Sequence, residues 1–169
     1  MSKKLIIING VMGVGKTTIS KKLYESLENS FWLDGDNCCM IHPFDISDEN
    51  KRMVEDNIIY ILNNFIKNSY SKYIVFNWVI PTDEVMNDIL EGIKNKEDLD
   101  IYKLTLTTTK EELMKRIGKD IGLGLRKINN LKKSVEMYAL FDRMDTIKMD
   151  TTNKSVEEIV SEIKDLINK

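Results

Sequence analysis

The first apolar run of the chain, Leu5-Ile6-Ile7-Ile8, contains no polar position. A strand with one wet face alternates, so an unbroken run predicts a parallel strand covered on both faces. The period then changes. Over residues 17–27 the apolar positions are Ile19, Leu23 and Leu27, the spacing of one helix face. Phe31-Trp32-Leu33 predicts a second strand. Ser47 caps a long helix whose Val54, Ile58, Ile61 and Phe65 form a stripe. Tyr73-Ile74-Val75-Phe76 predicts a third strand, residues 82–94 a helix through Val85, Ile89 and Ile93, and residues 101–106 a fourth strand. Thr108 with Glu111 reads as a capping box for a helix carrying Leu113, Ile117 and Ile121. Residues 118–130, rich in Gly, Lys and Asn, are the least core-like stretch. Residues 131–144 return to helical spacing, residues 146–149 predict a fifth strand, and Ser155 with Glu158 caps a last helix through Val156, Ile159, Ile163 and Leu166. Strands alternating with helices imply an α/β fold, a parallel sheet with helices on both faces. With 169 residues and no repeat or linker, a single domain over residues 1–169 is expected.

Between the first strand and the first helix lies Gly10-Val11-Met12-Gly13-Val14-Gly15-Lys16-Thr17. A Gly, four residues and Gly-Lys-Thr is the spacing of a phosphate-binding loop, and strand before and helix after are the context it requires. Glycines let successive backbone N–H groups of Gly13, Val14, Gly15, Lys16, Thr17 and Thr18 turn inward around a phosphate. The Lys16 ammonium suits the β and γ oxygens, the Thr17 hydroxyl suits Mg²⁺, and the helix N-terminus adds its positive dipole. The stretch predicts binding of a nucleoside triphosphate, taken as ATP with Mg²⁺.

The second strand runs into Asp34-Gly35-Asp36-Asn37. In an open parallel sheet, ligands collect beyond the carboxyl ends of the strands, which brings this turn beside the phosphate loop. Two carboxylates there have distinct uses. Asp34 would orient Mg²⁺, and Asp36 would accept the proton of an attacking hydroxyl. The bland reading is a solvated Asx turn at a strand end.

The phosphate loop together with Leu33-Asp34-Gly35-Asp36-Asn37 resembles the small P-loop kinases that phosphorylate metabolites, such as adenylylsulfate kinase, gluconate kinase and, more loosely, shikimate kinase. The resemblance implies a three-layer P-loop NTPase fold with a five-stranded sheet in the order 2-3-1-4-5. It also implies a small lid over residues 118–130, with Arg116 and Arg126 as phosphate clamps. The chain departs from such kinases at the end of the third strand, where Asn77 stands in place of an acid. The reaction type is therefore carried over and the substrate is not.

Composition narrows the acceptor. The net charge is −2 and the sequence pI near 5.6, which disfavours non-specific nucleic-acid binding. The only arginines are Arg52, Arg116, Arg126 and Arg143, too few for an acceptor phosphate gripped by several guanidinium forks. A small-molecule hydroxyl acceptor is expected. A nucleotide or nucleic-acid 5′-hydroxyl kinase and a non-enzymatic ATP-binding module are the alternatives. The short apolar run after Met-Ser-Lys-Lys is too brief for a secretory leader and no stretch has membrane-spanning length, so a cytoplasmic monomer or homodimer is expected.

Four further signals carry less weight. Asn95-Lys96-Glu97-Asp98 matches the guanine-reading Asn-Lys-x-Asp of GTPases, but it follows a helix and precedes a strand. His42, the only histidine, is more often structural when alone. Adjacent Cys38 and Cys39 cannot bridge each other without strain and read as lining of the acceptor pocket. Trp32, Trp78, Met40 and Met53 default to packing, with an apolar acceptor wall as their second use.

Overall fold

The unbroken apolar run becomes β1 (Lys3–Asn9) in a computed structural model that describes residues 2–168. Met1 and Lys169, the ends of the expected single unit, lie outside the described residues. Leu5, Ile6, Ile7 and Ile8 are all fully buried, as a central strand covered on both faces requires. The other strands are β2 (Ser30–Asp34), β3 (Tyr73–Asn77), β4 (Leu99–Thr107) and β5 (Ile147–Asp150). They form one parallel sheet in the order β2-β3-β1-β4-β5, the expected arrangement.

Among the described residues six α-helices accompany the sheet: α1 (Lys16–Glu25), α2 (Asp48–Lys67), α3 (Asp83–Glu91), α4 (Lys110–Gly122), α5 (Ile128–Asp142) and α6 (Val156–Ile167). Packing against α6 and β3 buries Ile19 and Leu23 of α1. Helix α2 packs on β2, β3 and α3 with Val54, Ile58 and Leu62 buried; the stripe runs through Leu62, and Ile61 is only half-buried. Ser47 and Ser155 cap α2 and α6 as expected, the latter in a full capping box with Glu158.

Two local expectations shift. The cap of α4 is Thr109, whose hydroxyl accepts from the Glu112 N–H; Thr108 is buried and its hydroxyl bonds with that of Thr152 instead. The stretch 118–130 is mostly helix. Its first half completes α4 and its end begins α5, leaving residues 123–127 as the connection.

The carboxyl end of β1 is pinned by an amide. Asn9 is fully buried; its Nδ2 donates to the Ile80 carbonyl at 3.0 Å and its Oδ1 accepts from the Ile80 N–H at 2.8 Å. These bonds hold the segment after β3 against the strand that launches the phosphate loop. Replacing Asn9 by Ala would leave both backbone groups of Ile80 buried without partners. Asn9→Ala is expected to lower stability by about 1–3 kcal/mol. Urea unfolding would show this as a lower midpoint at unchanged slope, and an unchanged midpoint would refute it.

Candidate functional site

The phosphate loop leaves β1 at Asn9 and turns through Gly10, Gly13 and Gly15 at φ of +140°, +89° and +108°. Gly13 has a second reason to lack a side chain. A Cβ there would lie 2.5 Å from Cγ1 of Ile117, so only glycine lets the loop approach α4 this closely. Val14 is buried, which leaves its backbone as the part available to a ligand. The N-cap of α1 is Gly15 in the left-handed region with no side-chain cap, so no side chain occupies the amides of the first turn. Thr17 and Thr18 face solvent there, and Met12 is half-buried in the turn.

Lys16 is nearly buried, and its ammonium donates to the carbonyls of Gly10 at 2.8 Å and Val11 at 3.2 Å. Burial lowers its pKa from 10.5 to about 8, an effect partly offset by the charges of Asp36 and Asp34 and reinforced by Arg126. The electrostatic coupling shows which groups share the site: two carboxylates and one guanidinium act on a single ammonium.

The aspartates differ in role by position. Asp34 ends β2 and is buried; its Oδ2 accepts from the Thr17 hydroxyl at 2.9 Å and its Oδ1 from the Asp36 N–H at 3.1 Å. Asp36 sits two residues on, in a 3-10 turn over Gly35–Cys38, and its side chain can be reached from solvent. Enough protein surrounds it that desolvation, then the Asp34 charge, raise its pKa, with Lys16 and Arg126 pulling the other way. Gly35 between them packs flat on Trp78: a Cβ would meet the Trp78 ring at 2.6 Å. The glycine is thus required by a close approach to the indole.

The two arginines part company. Arg126, in the connection between α4 and α5, donates its Nε to Asp120 at 2.8 Å while its charge is felt at both Lys16 and Asp36. Arg116 is bonded to the phosphate loop and to the turn after β5. It lies in the body of α4, and its guanidinium donates to Glu112, to the Val14 carbonyl at 3.2 Å, and to the hydroxyl and carbonyl of Thr151. It ties the phosphate loop to the turn after β5.

At the end of β3, Asn77 is buried and its Oδ1 accepts from the Trp32 indole N–H at 2.7 Å, so the amide fixes Trp32. Asn9 and this Asn77–Trp32 pair are the site-shaping residues that sequence reasoning missed. Their signal was an amide at the last position of each strand.

A cavity of about 420 Å³ opens beyond Asp36, between the 3-10 turn and α2, with Asn37, Cys38 and Met53 in its wall. Burial first, then Asp34 and Cys39, raise the Cys38 thiol, which argues against a reactive thiolate. His42 is exposed in the following loop and is not part of that wall. A larger cavity, about 1020 Å³, lies at the opposite edge of the sheet, where Lys3 begins β1 and Leu99 begins β4. The Asn95-Lys96-Glu97-Asp98 stretch borders that far cavity, away from the phosphate loop.

Among the described residues no group of three or more His, Cys, Asp or Glu is placed to hold a metal ion, and no helix is long and apolar enough to cross a membrane. A family model described as an AAA domain matches residues 6–122. No curated protein matches the chain by sequence. Several solved structures share its fold. The gluconokinase of Sinorhizobium meliloti 1021 superposes with a TM-score of 0.68 at 17% identity, over 94% of this chain and 88% of that one. The APS kinase of Mycobacterium tuberculosis, in complex with AMPPNP and APS, gives 0.67 at 16% identity over 99% of each chain. The tunicamycin resistance protein of Deinococcus radiodurans gives 0.69 at 14% identity, over 98% of this chain and 96% of that one. The expected likeness to the gluconate and adenylylsulfate kinases therefore holds in the fold.

The lowered Lys16 pKa makes a testable statement about stability. Unfolded, the ammonium titrates near 10.5; folded, near 8. Between these values the unfolded chain holds a proton that the folded one has shed, so the cost of burying the charge is full below pH 8 and is relieved as pH rises through the window. Wild type is therefore expected to gain stability relative to Lys16→Met between pH 7.5 and 10. Paired urea titrations at both pH values would check this; a constant difference would overturn it.

Proposed function

The chain belongs to the AAA domain family, and on that premise we propose that it is an ATP-dependent phosphotransferase acting on a hydroxyl of a small molecule. One observation carries the reading. Lys16, the Thr17–Asp34 pair and Asp36 converge at the carboxyl edge of one sheet, beside a cavity large enough for a second substrate.

The division of labour follows from position. Gly10 and Met12 shape the turn, and the amides from Gly13 to Thr18 cradle the β-phosphate. Lys16 exchanges its bonds to the Gly10 and Val11 carbonyls for bonds to β and γ oxygens. A hydroxyl and a carboxylate 2.9 Å apart are hard oxygen donors of the kind Mg²⁺ takes while keeping several waters, so Thr17 and Asp34 fit that ion. When bound, Mg²⁺ neutralises charge on the β and γ oxygens. Asp36 takes the proton of the acceptor hydroxyl as its oxygen forms the new bond to phosphorus and the bond to ADP breaks. Arg126 supports the charge on the transferred group, and Arg116 positions the loop through the Val14 carbonyl. Burial and the Asp34 charge raise the Asp36 pKa, which strengthens it as a base, while Lys16 and Arg126 limit the rise.

Asp36→Asn keeps the shape of the turn and removes the base. Acceptor-dependent ADP release is expected to fall by about 10²–10⁴-fold, with ATP affinity within about twofold of wild type. ADP release from Mg·ATP across fractionated cell metabolites measures the first and equilibrium titration the second. Equal turnover in both proteins would remove Asp36 from the mechanism. ATP binding with no acceptor-dependent turnover in any pool would favour a nucleotide-binding module.

A further inference from the structure

We infer that the acceptor is an uncharged hydroxyl compound with an apolar body, seated in the cavity between the turn after β2 and α2. The inference rests on the phosphotransferase reading for the reaction, and on the cavity alone for the class of compound. That cavity begins at Asn37, one residue past Asp36, so a molecule inside it can present a hydroxyl to that carboxylate.

The walls decide the chemistry. Cys38, Met40, Ile41, Met53 and Ile61 form the apolar part of the lining, the polar part is about as large, and Tyr60 adds a ring with a polar tip. The polar groups are the amides of Asn37 and Asn57, neutral donors and acceptors that suit hydroxyl, carbonyl or amide groups of a ligand. Among the described residues, no Arg, Lys or His lines the cavity. A carboxylate or phosphate held against such a wall would lack the cation its burial requires. Asp34 and Asp36, in the turn that leads to Asn37, add negative charge nearby, and the cations that act on Asp36, Lys16 and Arg126, belong to the phosphate site. The arginines lie elsewhere: Arg116 is bonded to the phosphate loop, Arg126 to Asp120, Arg143 follows α5, and Arg52 precedes Met53 outside the lining.

Exposure points the same way. Met40 is 83% exposed, Tyr60 71% and Met53 41%, and the loop that leads into α2 carries Phe44 at 68%. Large apolar side chains concentrated beside a cavity mark a surface that a ligand covers. Methionines, unbranched and polarizable, adapt to an apolar body of varied shape. At about 420 Å³ the cavity lies in the range of small-molecule sites.

The test pairs turnover with binding. ADP release from Mg·ATP is measured with uncharged nucleosides and aryl or alkyl alcohols, and in parallel with gluconate, shikimate and nucleoside 5′-monophosphates. The neutral panel is expected to contain the acceptors, with kcat/KM at least about tenfold above any anionic compound. Preference for the anionic panel would overturn the inference and leave the phosphotransferase reading standing. Binding of Nile red, a neutral apolar dye, is read by fluorescence in wild type and in Met53→Lys, a change that a half-exposed position tolerates in the fold. The dye is expected to bind wild type and to lose at least about tenfold in affinity in the variant. Where neither panel turns over, the dye decides. Binding lost in Met53→Lys would support the neutral cavity while counting against the phosphotransferase, and binding absent or equal in both proteins would overturn the inference.

Discussion

The site depends on how closely the phosphate loop lies against α4. Gly13 meets Ile117 with no room for a Cβ, and Arg116, one residue before, donates to the Val14 carbonyl. Steric contact and hydrogen bond act on neighbouring residues of both partners, so the loop has one place to be. That placement sets where α1 begins. It thereby sets where Thr17 meets Asp34 and where Lys16 is buried. A preorganised amide nest is worth having only if its geometry is fixed before the ligand arrives. Here the fixing groups lie outside the loop itself, in α4 and in the Thr151 turn that Arg116 also grips.

A second constraint runs along strand ends. Asn9 and Asn77 are the last residues of adjacent strands, both buried, each with its amide engaged inward. Buried amides bonded to the backbone or to an indole rigidify a site without bringing charge into it. An acid at the end of β3 would have placed a third carboxylate near Asp34 and Asp36 and added like-charge repulsion there. With Asn77 there, β3 ends in a neutral amide beside Asp34, its partner across the β2–β3 ladder.

The sheet was legible because its central strand leaves no room for a second reading: Leu5 to Ile8 are apolar without a break and all end fully buried. The phosphate loop and the aspartate turn were legible because each chemistry needs its residue types at fixed spacing. Less local matters escaped. The α4 cap moved by one residue, since two adjacent threonines offer equal caps and only the packing of Thr108 under Thr152 separates them. The direction of the Arg116 guanidinium, toward Val14 and Thr151, is likewise not given by residue type. The approach of Gly35 to Trp78, far along the chain, leaves no local signal. Each miss involves a partner distant in sequence.

The charges around Asp36 give the two proposed ligands an order. Burial and the Asp34 charge raise the Asp36 pKa, and Lys16 and Arg126 act on it directly in the opposite direction. A triphosphate in the loop brings several negative charges to those same cations. Their pull on Asp36 falls, its affinity for a proton rises, and the acceptor hydroxyl meets a stronger base than it would have met alone. An uncharged acceptor fits that sequence, because its binding neither competes for Lys16 and Arg126 nor adds a negative charge beside Asp36. An anionic acceptor would do one or the other. On the proposed mechanism Asp36 would be the stronger base once the phosphoryl donor is in place, which would couple proton removal to the presence of the group that replaces the proton.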